Sequence, residues 1–243
     1  MKTKSILIIL FAINIAFTSC KKNDINVVPS ANVTSVEKAF SDFNALDISD
    51  IFKVHVTFSE TEESIVIEAN ENLQSYIYVS SHGSSINIEL DKKLNIRKSG
   101  ATLNVYITMR DLAYINGEGA VEISLLNEAT LNEFEVSLGG ASSLSGNITA
   151  SRITADLDGS SNISLSGHAD VLVFDANGAS NMEGYDFETN NLEADLNGAS
   201  NLHLTVNNKM DVRANGASFV YYKGNADIIS QNLNGASEII KVQ

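Results

Sequence analysis

Three aspartates recur at nearly equal spacing in the second half of the chain. Asp156, Asp175 and Asp195 follow one another at almost the same interval, and Arg213 continues the series. If equivalent residues stack, these carboxylates form a line with about 5 Å between neighbours. We call it the acidic column. Ca²⁺ prefers several carboxylate oxygens, so the column is a candidate cation site. The alternative is a solvated ridge, because each adjacent pair repels by under about 1 kcal/mol in water.

The same residues allow an enzymatic hypothesis. Polysaccharide lyases built on parallel β-helices combine Ca²⁺-binding acidic residues with a basic residue that removes a proton, and Asp175, Asp195 and Arg213 offer those types. However, Arg213 can equally pair with Asp195, and the short, uniform repeats leave no long loops to wall a cleft. We therefore predict no catalytic residues, and polysaccharide binding or a lyase-like activity remains the alternative function.

Other sites for chemistry are missing from the sequence. The four histidines share no metal-ligand spacing, and neither a Gly-x-Ser-x-Gly elbow nor a phosphate-binding loop occurs. A net charge of −14 argues against nucleic acid as a partner, because phosphate binding needs a basic surface. Apart from Ca²⁺ at the acidic column, we expect no cofactor.

An Asn-Gly-Ala-Ser motif recurs with variants at a nearly constant interval. Its glycines are Gly140, Gly159, Gly178, Gly198, Gly216 and Gly235. Residues two, four and six positions before each glycine are almost all apolar and alternate with largely polar ones, which predicts a half-buried strand. Four residues after each glycine another apolar residue begins a second strand. Each repeat is therefore strand, tight turn, strand and looser return.

A repeat of about 19 residues predicts an all-β parallel β-helix, because propeller blades need longer repeats. Asn and Gly tolerate the left-handed backbone of a sharp corner, and stacked Asn side chains can hydrogen-bond to one another. The motif is thus interpreted as a structural corner. The predicted corner residues are Asn177, Gly178, Asn197, Gly198, Asn215, Gly216, Asn234 and Gly235.

A candidate binding surface follows the corners. Three residues after successive glycines stand Asn162, Asn181, Asn201 and Phe219, with Tyr221 close by. An asparagine ladder beside aromatic rings could bind a glycan or an envelope protein. The aromatic residues could instead cover the end of the solenoid, which repeat proteins must protect.

The N-terminus has the features of an exported lipoprotein. Lys2 and Lys4 precede an apolar run over 6–17, and the only cysteine, Cys20, follows at a lipobox-like site. We predict a lipoprotein signal peptide over 1–19, with lipidated Cys20 and a tether over 20–38. Lys21 stands where an Asp would retain the protein in the inner membrane. The predicted location is therefore the outer membrane of the cell envelope, on the periplasmic or the exposed face.

The Gly-Ala-Ser corners and the order of strands before them resemble a known family. Those strands lie at 43–48, 52–56, 65–69, 85–88 and 105–108. The family is that of putative auto-transporter adhesins with a head GIN domain. The resemblance implies a right-handed parallel β-helix over 39–243 and a periplasmic or surface location, with no established chemistry. We expect a non-enzymatic cell-envelope protein that is adhesive or scaffolding.

Overall fold

The computed structural model describes residues 25–97 and 100–243, and almost all of its regular structure is β. The single helix within these residues is a 3-10 turn over Glu71–Tyr76, so no described helix could span a membrane. The strands are β1 (Ile25–Val27), β2 (Val33–Lys38), β3 (Ala45–Asp50), β4 (Lys53–Phe58), β5 (Ser64–Asn70), β6 (Ile77–His82), β7 (Ser85–Leu90), β8 (Leu94–Ile96), β9 (Leu103–Met109), β10 (Tyr114–Gly119), β11 (Glu122–Leu125), β12 (Ala129–Leu138), β13 (Ser143–Leu157), β14 (Asn162–Ala176), β15 (Asn181–Glu183), β16 (Phe187–Gly198), β17 (Asn201–Gly216), β18 (Phe219–Lys223), β19 (Asp227–Leu233) and β20 (Glu238–Lys241).

The repeats form a parallel solenoid whose coils stack in register, as predicted. Strands of successive coils pair in parallel from β10 and β11 to β19 and β20. Equivalent apolar residues of the repeat therefore lie above one another and fill the interior. One such interior column contains Val136, Ala155, Phe174, Ala194 and Val212, each at most 2% exposed. We call the region from β10 onward the stack.

The corners are where the backbones of adjacent coils come closest. Gly178 has a φ of 82°, and the N–H of Ala179 donates to the carbonyl oxygen of Gly159 in the preceding coil at 2.8 Å. A Cβ on Gly178 would lie 2.5 Å from that oxygen, so no larger residue fits there. The predicted asparagine ladder is also present: the Asn215 amide donates to Asn197 Oδ1, and the Asn234 amide donates to Asn215 Oδ1, both at 2.9 Å.

The serine of the motif has a role that the sequence did not reveal. It is buried at every corner, as Ser142, Ser161, Ser180, Ser200, Ser218 and Ser237. In the Ser161 corner the hydroxyl donates to the carbonyl oxygen of Asp158 at 2.9 Å, and four other corners repeat this bond. From the sequence, the corner backbone explained only the asparagine and the glycine of the motif. The serine in fact satisfies a backbone carbonyl inside the turn.

Parallel coils were predicted for the whole domain, but the N-terminal half also contains antiparallel strand pairs. The coil of β3 and β4 extends the stack, and β7 and β9 pair with it in parallel. Beyond them β5 pairs antiparallel with β9, β2 with β5, and β6 with β7. Only two residues separate β6 from β7, and so short a turn can join only antiparallel strands. We call β2, β5, β6, β7 and β9 the cap.

Asp50 joins the cap to the stack. It has a φ of 79°, and its carbonyl oxygen accepts the N–H of Ala120 at 2.7 Å, as the carbonyl oxygens of the corner glycines from Gly119 to Gly216 do in the coils above. Its carboxylate accepts the N–H of Leu90 in the cap at 2.8 Å. The column of corner residues therefore starts at an aspartate whose side chain satisfies the adjoining cap strand.

The ordered domain begins earlier than residue 39. The segment predicted as a tether over 20–38 contains β1, which pairs with β8, and β2, which forms an edge of the cap. Side chains hold the connection between these strands: the Asn70 amide donates to the Ser30 carbonyl oxygen, and the Asn72 amide donates to that of Val28, both at 2.8 Å. This polar segment belongs to the fold through its backbone, which composition alone did not indicate. The predicted signal peptide over 1–19 and Cys20 lie outside the described residues.

Candidate functional site

The acidic column exists as an outward-facing line. Asp156, Asp175, Asp195 and Arg213 occupy the same register position in four successive coils. Asp156 and Asp175 are exposed, and Asp195 is half-buried. Among the described residues, however, no three acidic, histidine or cysteine side chains are grouped closely enough to hold a metal ion. The column therefore spreads its carboxylates along the ridge and does not direct them at one point.

Electrostatics make the acidic column mildly unfavourable. Partial burial raises the pKa of Asp175, and the carboxylates of Asp195, Asp156 and Glu193 raise it further, while Arg213 lowers it. Partial burial also raises the pKa of Asp156, with a further contribution from Asp158.

Asp195 has a hydrogen-bond partner that the sequence did not predict, and within the described part of the chain it lacks an ion pair with Arg213. Its carboxylate accepts the amide of Asn197 at 3.0 Å, so the corner ladder and the acidic column share a hydrogen bond. A salt bridge between Asp195 and Arg213 was considered from the sequence, but among the described residues no charged atoms of these two side chains lie within 4.0 Å of each other. Arg213 therefore acts on the column only at longer range.

The predicted asparagine surface is present as a second ladder. Asn162, Asn181, Asn201 and Phe219 are in register on the outer face. The Asn181 amide donates to Asn162 Oδ1 at 3.2 Å and to the Ala179 carbonyl oxygen at 3.2 Å. Because these two bonds use both of its N–H groups, Asn181 has no donor left for a ligand. This amide ladder therefore mainly reinforces the face.

The neighbouring column, two residues further along the strand, has aromatic rings at both ends. Serines 124, 145 and 164 occupy its middle positions, and we call them the serine column. On the cap side His55 stacks on Tyr106 with ring centroids 5.1 Å apart. On the other side His203 lies 4.7 Å from Tyr221. Since β20 pairs with β18 beyond them, Phe219 and Tyr221 do not cover the end of the solenoid.

A cleft opens where one coil leaves the sheet. β14 and β17 run unbroken through this region, but the coil between them divides into β15 and β16, and residues 184–186 form a turn. The resulting cleft has a volume of about 430 Å³. We call it the turn cleft, and it is lined by Ser164, Glu183, Gly184, Tyr185 and His203.

Both adjacent coils hold the turn in place. The Thr205 hydroxyl donates to the Tyr185 carbonyl oxygen at 2.9 Å from one side. From the other side the N–H of Gly167 donates to the Asp186 carbonyl oxygen at 3.1 Å. The Tyr185 ring lies 5.8 Å from the His203 ring between centroids, and Lys223 Nζ lies 5.0 Å from the centre of the Tyr185 ring. Hydrogen bonds from two neighbouring coils therefore anchor the turn that forms the cleft.

Sequence reasoning identified one side of this region and missed the other. It predicted Asn162, Asn181, Asn201, Phe219 and Tyr221 as a binding surface, and the structure places them together on one face. It did not single out the residues that line the turn cleft. A signal was present, because the interval from Gly178 to Gly198 is slightly longer than the one before it, and the next interval is shorter. An extra residue in a regular coil must leave the sheet somewhere.

Comparison with known proteins agrees with this architecture. A family model described as "Putative auto-transporter adhesin, head GIN domain" matches residues 42–226, and the chain belongs to this family. No curated protein matches the chain in sequence.

Several solved structures are similar in fold, and three of them show the extent of the similarity. A putative adhesin from Bacteroides fragilis has a TM-score of 0.82 and 18% identity, and the match covers 89% of this chain and all of that one. A putative lipid binding protein from Parabacteroides distasonis has a TM-score of 0.75 and 16% identity over 90% of this chain and all of that one. A putative adhesin from the same organism has a TM-score of 0.74 and 13% identity with the same coverage. At these identities the similarity establishes the fold alone.

Proposed function

We propose that this member of the head GIN family is a non-enzymatic adhesive module of the cell envelope, held at the outer membrane by a lipid on Cys20. The observation that supports adhesion is the outer face on which the amide ladder and the serine column lie side by side, with the rings of His203 and Tyr221 at one end. Parallel coils present these side chains at fixed positions, so binding costs little conformational entropy. Descriptions of the family and of two similar structures as adhesins are consistent with this proposal.

The lyase-like alternative requires a different arrangement of the acidic column. Such an enzyme needs carboxylates that converge on one cation and a base directed at the same sugar carbon. Here Asp175, Asp195 and Arg213 succeed one another along the ridge, one to each coil. This geometry supports a surface that binds without turnover.

A binding screen tests the proposal. The Cys20→Ala chain should leave the membrane fraction and supply soluble protein, with the wild-type chain as the membrane-bound control. We expect the soluble chain to bind a glycan or an envelope protein reproducibly and to leave the glycans intact. Absorbance from unsaturated uronate products would overturn the non-enzymatic part. Failure to bind any glycan, envelope protein or phospholipid vesicle would overturn adhesion.

A further inference from the structure

We propose that the turn cleft binds one residue of a neutral glycan, as the recognition site of the adhesive function proposed above. The cleft arises where the coil of β15 and β16 leaves the sheet beside the unbroken strands β14 and β17, and Tyr185 lies in that turn, outside the repeating strand register. Neither Tyr185 nor Glu183 belongs to the corners or the interior columns. Glu183 continues the serine column beyond Ser164, whereas Tyr185 has no partner in the strand register.

The floor of the turn cleft is bare backbone. Gly184 carries no side chain there, and a Cβ at this position would collide with the carbonyl oxygen of Leu165 in the coil beneath. Any other residue would push the turn outward and change the depression. The walls rise on either side from Tyr185 and His203, both half-buried, and from the exposed Glu183 and Ser164.

The lining chemistry suits a sugar ring. The rings of Tyr185 and His203 offer apolar surface to the C–H groups of a pyranose, while their polar atoms remain able to hydrogen-bond. The Glu183 carboxylate accepts hydrogen bonds from hydroxyls, and the Ser164 hydroxyl both donates and accepts. A few polar groups around a partly apolar surface is the usual composition of small-ligand sites.

The negative charge of the cleft and of the whole chain disfavours anionic glycans. The chain carries a net charge of −14, and Glu183 places one carboxylate in the cleft itself. A uronate, sulfate or phosphate group would meet repulsion from both. Lys223 lies over the Tyr185 ring and offsets only one charge. The favoured ligand is therefore a neutral hexose residue.

The surroundings of the cleft leave room for a polymer. From Ser164 the serine column continues through Ser145 and Ser124 to His55, three coil steps or about 14 Å along the axis. Ser145 and Ser164 are exposed and small, so a chain can pass over them. We therefore expect oligosaccharides to bind more tightly than single sugars.

Calorimetry on the Cys20→Ala chain tests the site. The probes are linear hexasaccharides of β-linked glucose and of α-linked mannose, with a hexamer of galacturonate as the anionic comparison. We expect at least one neutral probe to bind and the galacturonate hexamer to bind more weakly. Tyr185→Ala should reduce the neutral affinity by at least about tenfold, because it removes an aromatic wall. Glu183→Gln should reduce it about fivefold, because charge-assisted bonds become neutral ones.

Controls separate this site from its alternatives. Tyr78→Ala removes an exposed tyrosine from β6 of the cap, far from the turn cleft in the strand order, and should leave affinity unchanged. Because Glu183 is exposed, Glu183→Gln should fold normally, so its loss of affinity reports binding even if Tyr185→Ala destabilises the turn. The inference is overturned if neither neutral probe binds, if galacturonate binds best, or if affinity survives both changes. Binding of only an envelope protein in the screen would leave the adhesive function standing without this site.

Discussion

The stack and the cap solve the same packing problem with different neighbours. In the stack every coil lies on a near copy of itself, so one backbone position meets the same atoms at each level. In the cap β5 lies between β2 and β9, and β6 pairs with β7, so each strand has its own partners. Gly178 and Gly83 illustrate the difference. Both have positive φ, of 82° and 61°, but a Cβ would meet backbone at Gly178 and open space at Gly83. Stacking thus turns a conformational preference into a steric requirement.

The largest expected effect is the difference in stability between alanine variants at these two glycines. Gly83→Ala should cost about 1–2 kcal/mol, the penalty for a left-handed backbone alone. Gly178→Ala should cost about 3–5 kcal/mol, since its Cβ must also displace the Gly159 carbonyl oxygen 2.5 Å away and disturb the hydrogen bond from Ala179. Urea denaturation of both variants measures the difference.

Gly146 is not a suitable reference for that experiment, although it lies outside the corner motif. A Cβ there would lie 2.6 Å from the Leu125 Cβ, so alanine at Gly146 would also create a steric clash.

Equal losses of stability in Gly178→Ala and Gly83→Ala would contradict the steric account and leave only backbone conformation as the reason for the corner glycine.

The same contrast explains how far the sequence predicted the structure. The stack was predictable because a recurring neighbour forces a recurring residue, so Gly178 and the apolar columns appear as a period. In the cap the strands over 65–69, 85–88 and 105–108 were predicted, but their antiparallel pairing was not, because Ser64–Asn70 has no copy elsewhere and its partners leave no repeated signal. The sequence did not predict the turn cleft, for a third reason. It depends on a single extra residue, and alignment on the glycines treats such a residue as variation in spacing.

An intermediate effect is expected within a single corner. Ser160 and Ser161 are adjacent, but Ser160 is exposed, and Ser161 is buried and donates to the Asp158 carbonyl oxygen at 2.9 Å. Ser161→Ala should destabilise the protein by about 1–2 kcal/mol, because the Asp158 carbonyl oxygen loses the hydroxyl that donates to it. Ser160→Ala should change stability by less than about 0.5 kcal/mol, as is usual for surface positions. Thermal unfolding distinguishes them, and equal effects would remove the hydroxyl from the account of the corner.

The smallest expected effect concerns the carboxylates of the two regions, which have different neighbours in the stack and in the cap. Stacking aligns Asp175 with Asp156 and Asp195, whereas in the cap the Glu68 carboxylate accepts the Asn104 amide at 2.7 Å. Burial and neighbouring carboxylates raise the pKa of Asp175 above its ordinary 3.8. The folded state therefore holds this proton more tightly than the unfolded state does. The resulting stabilisation is complete below pH 3.8 and is lost as the pH rises through the folded-state pKa.

Asp175→Asn should consequently stabilise the protein at pH 7 and have little effect at pH 3. Because Asp175 is exposed, solvent screening limits the gain to about 1–2 °C in melting temperature. Glu68→Gln is the matched change in the cap, and it should give no gain at pH 7, since it weakens a charge-assisted hydrogen bond. Melting curves of both variants at the two pH values measure this. If Ca²⁺ raises the melting temperature of the parent but not of Asp175→Asn, the column binds a cation and the repulsive account is wrong. If Ca²⁺ has no effect and only Asp175→Asn gains stability at pH 7, the aligned carboxylates are a cost of stacking, which the varied partners of the cap avoid.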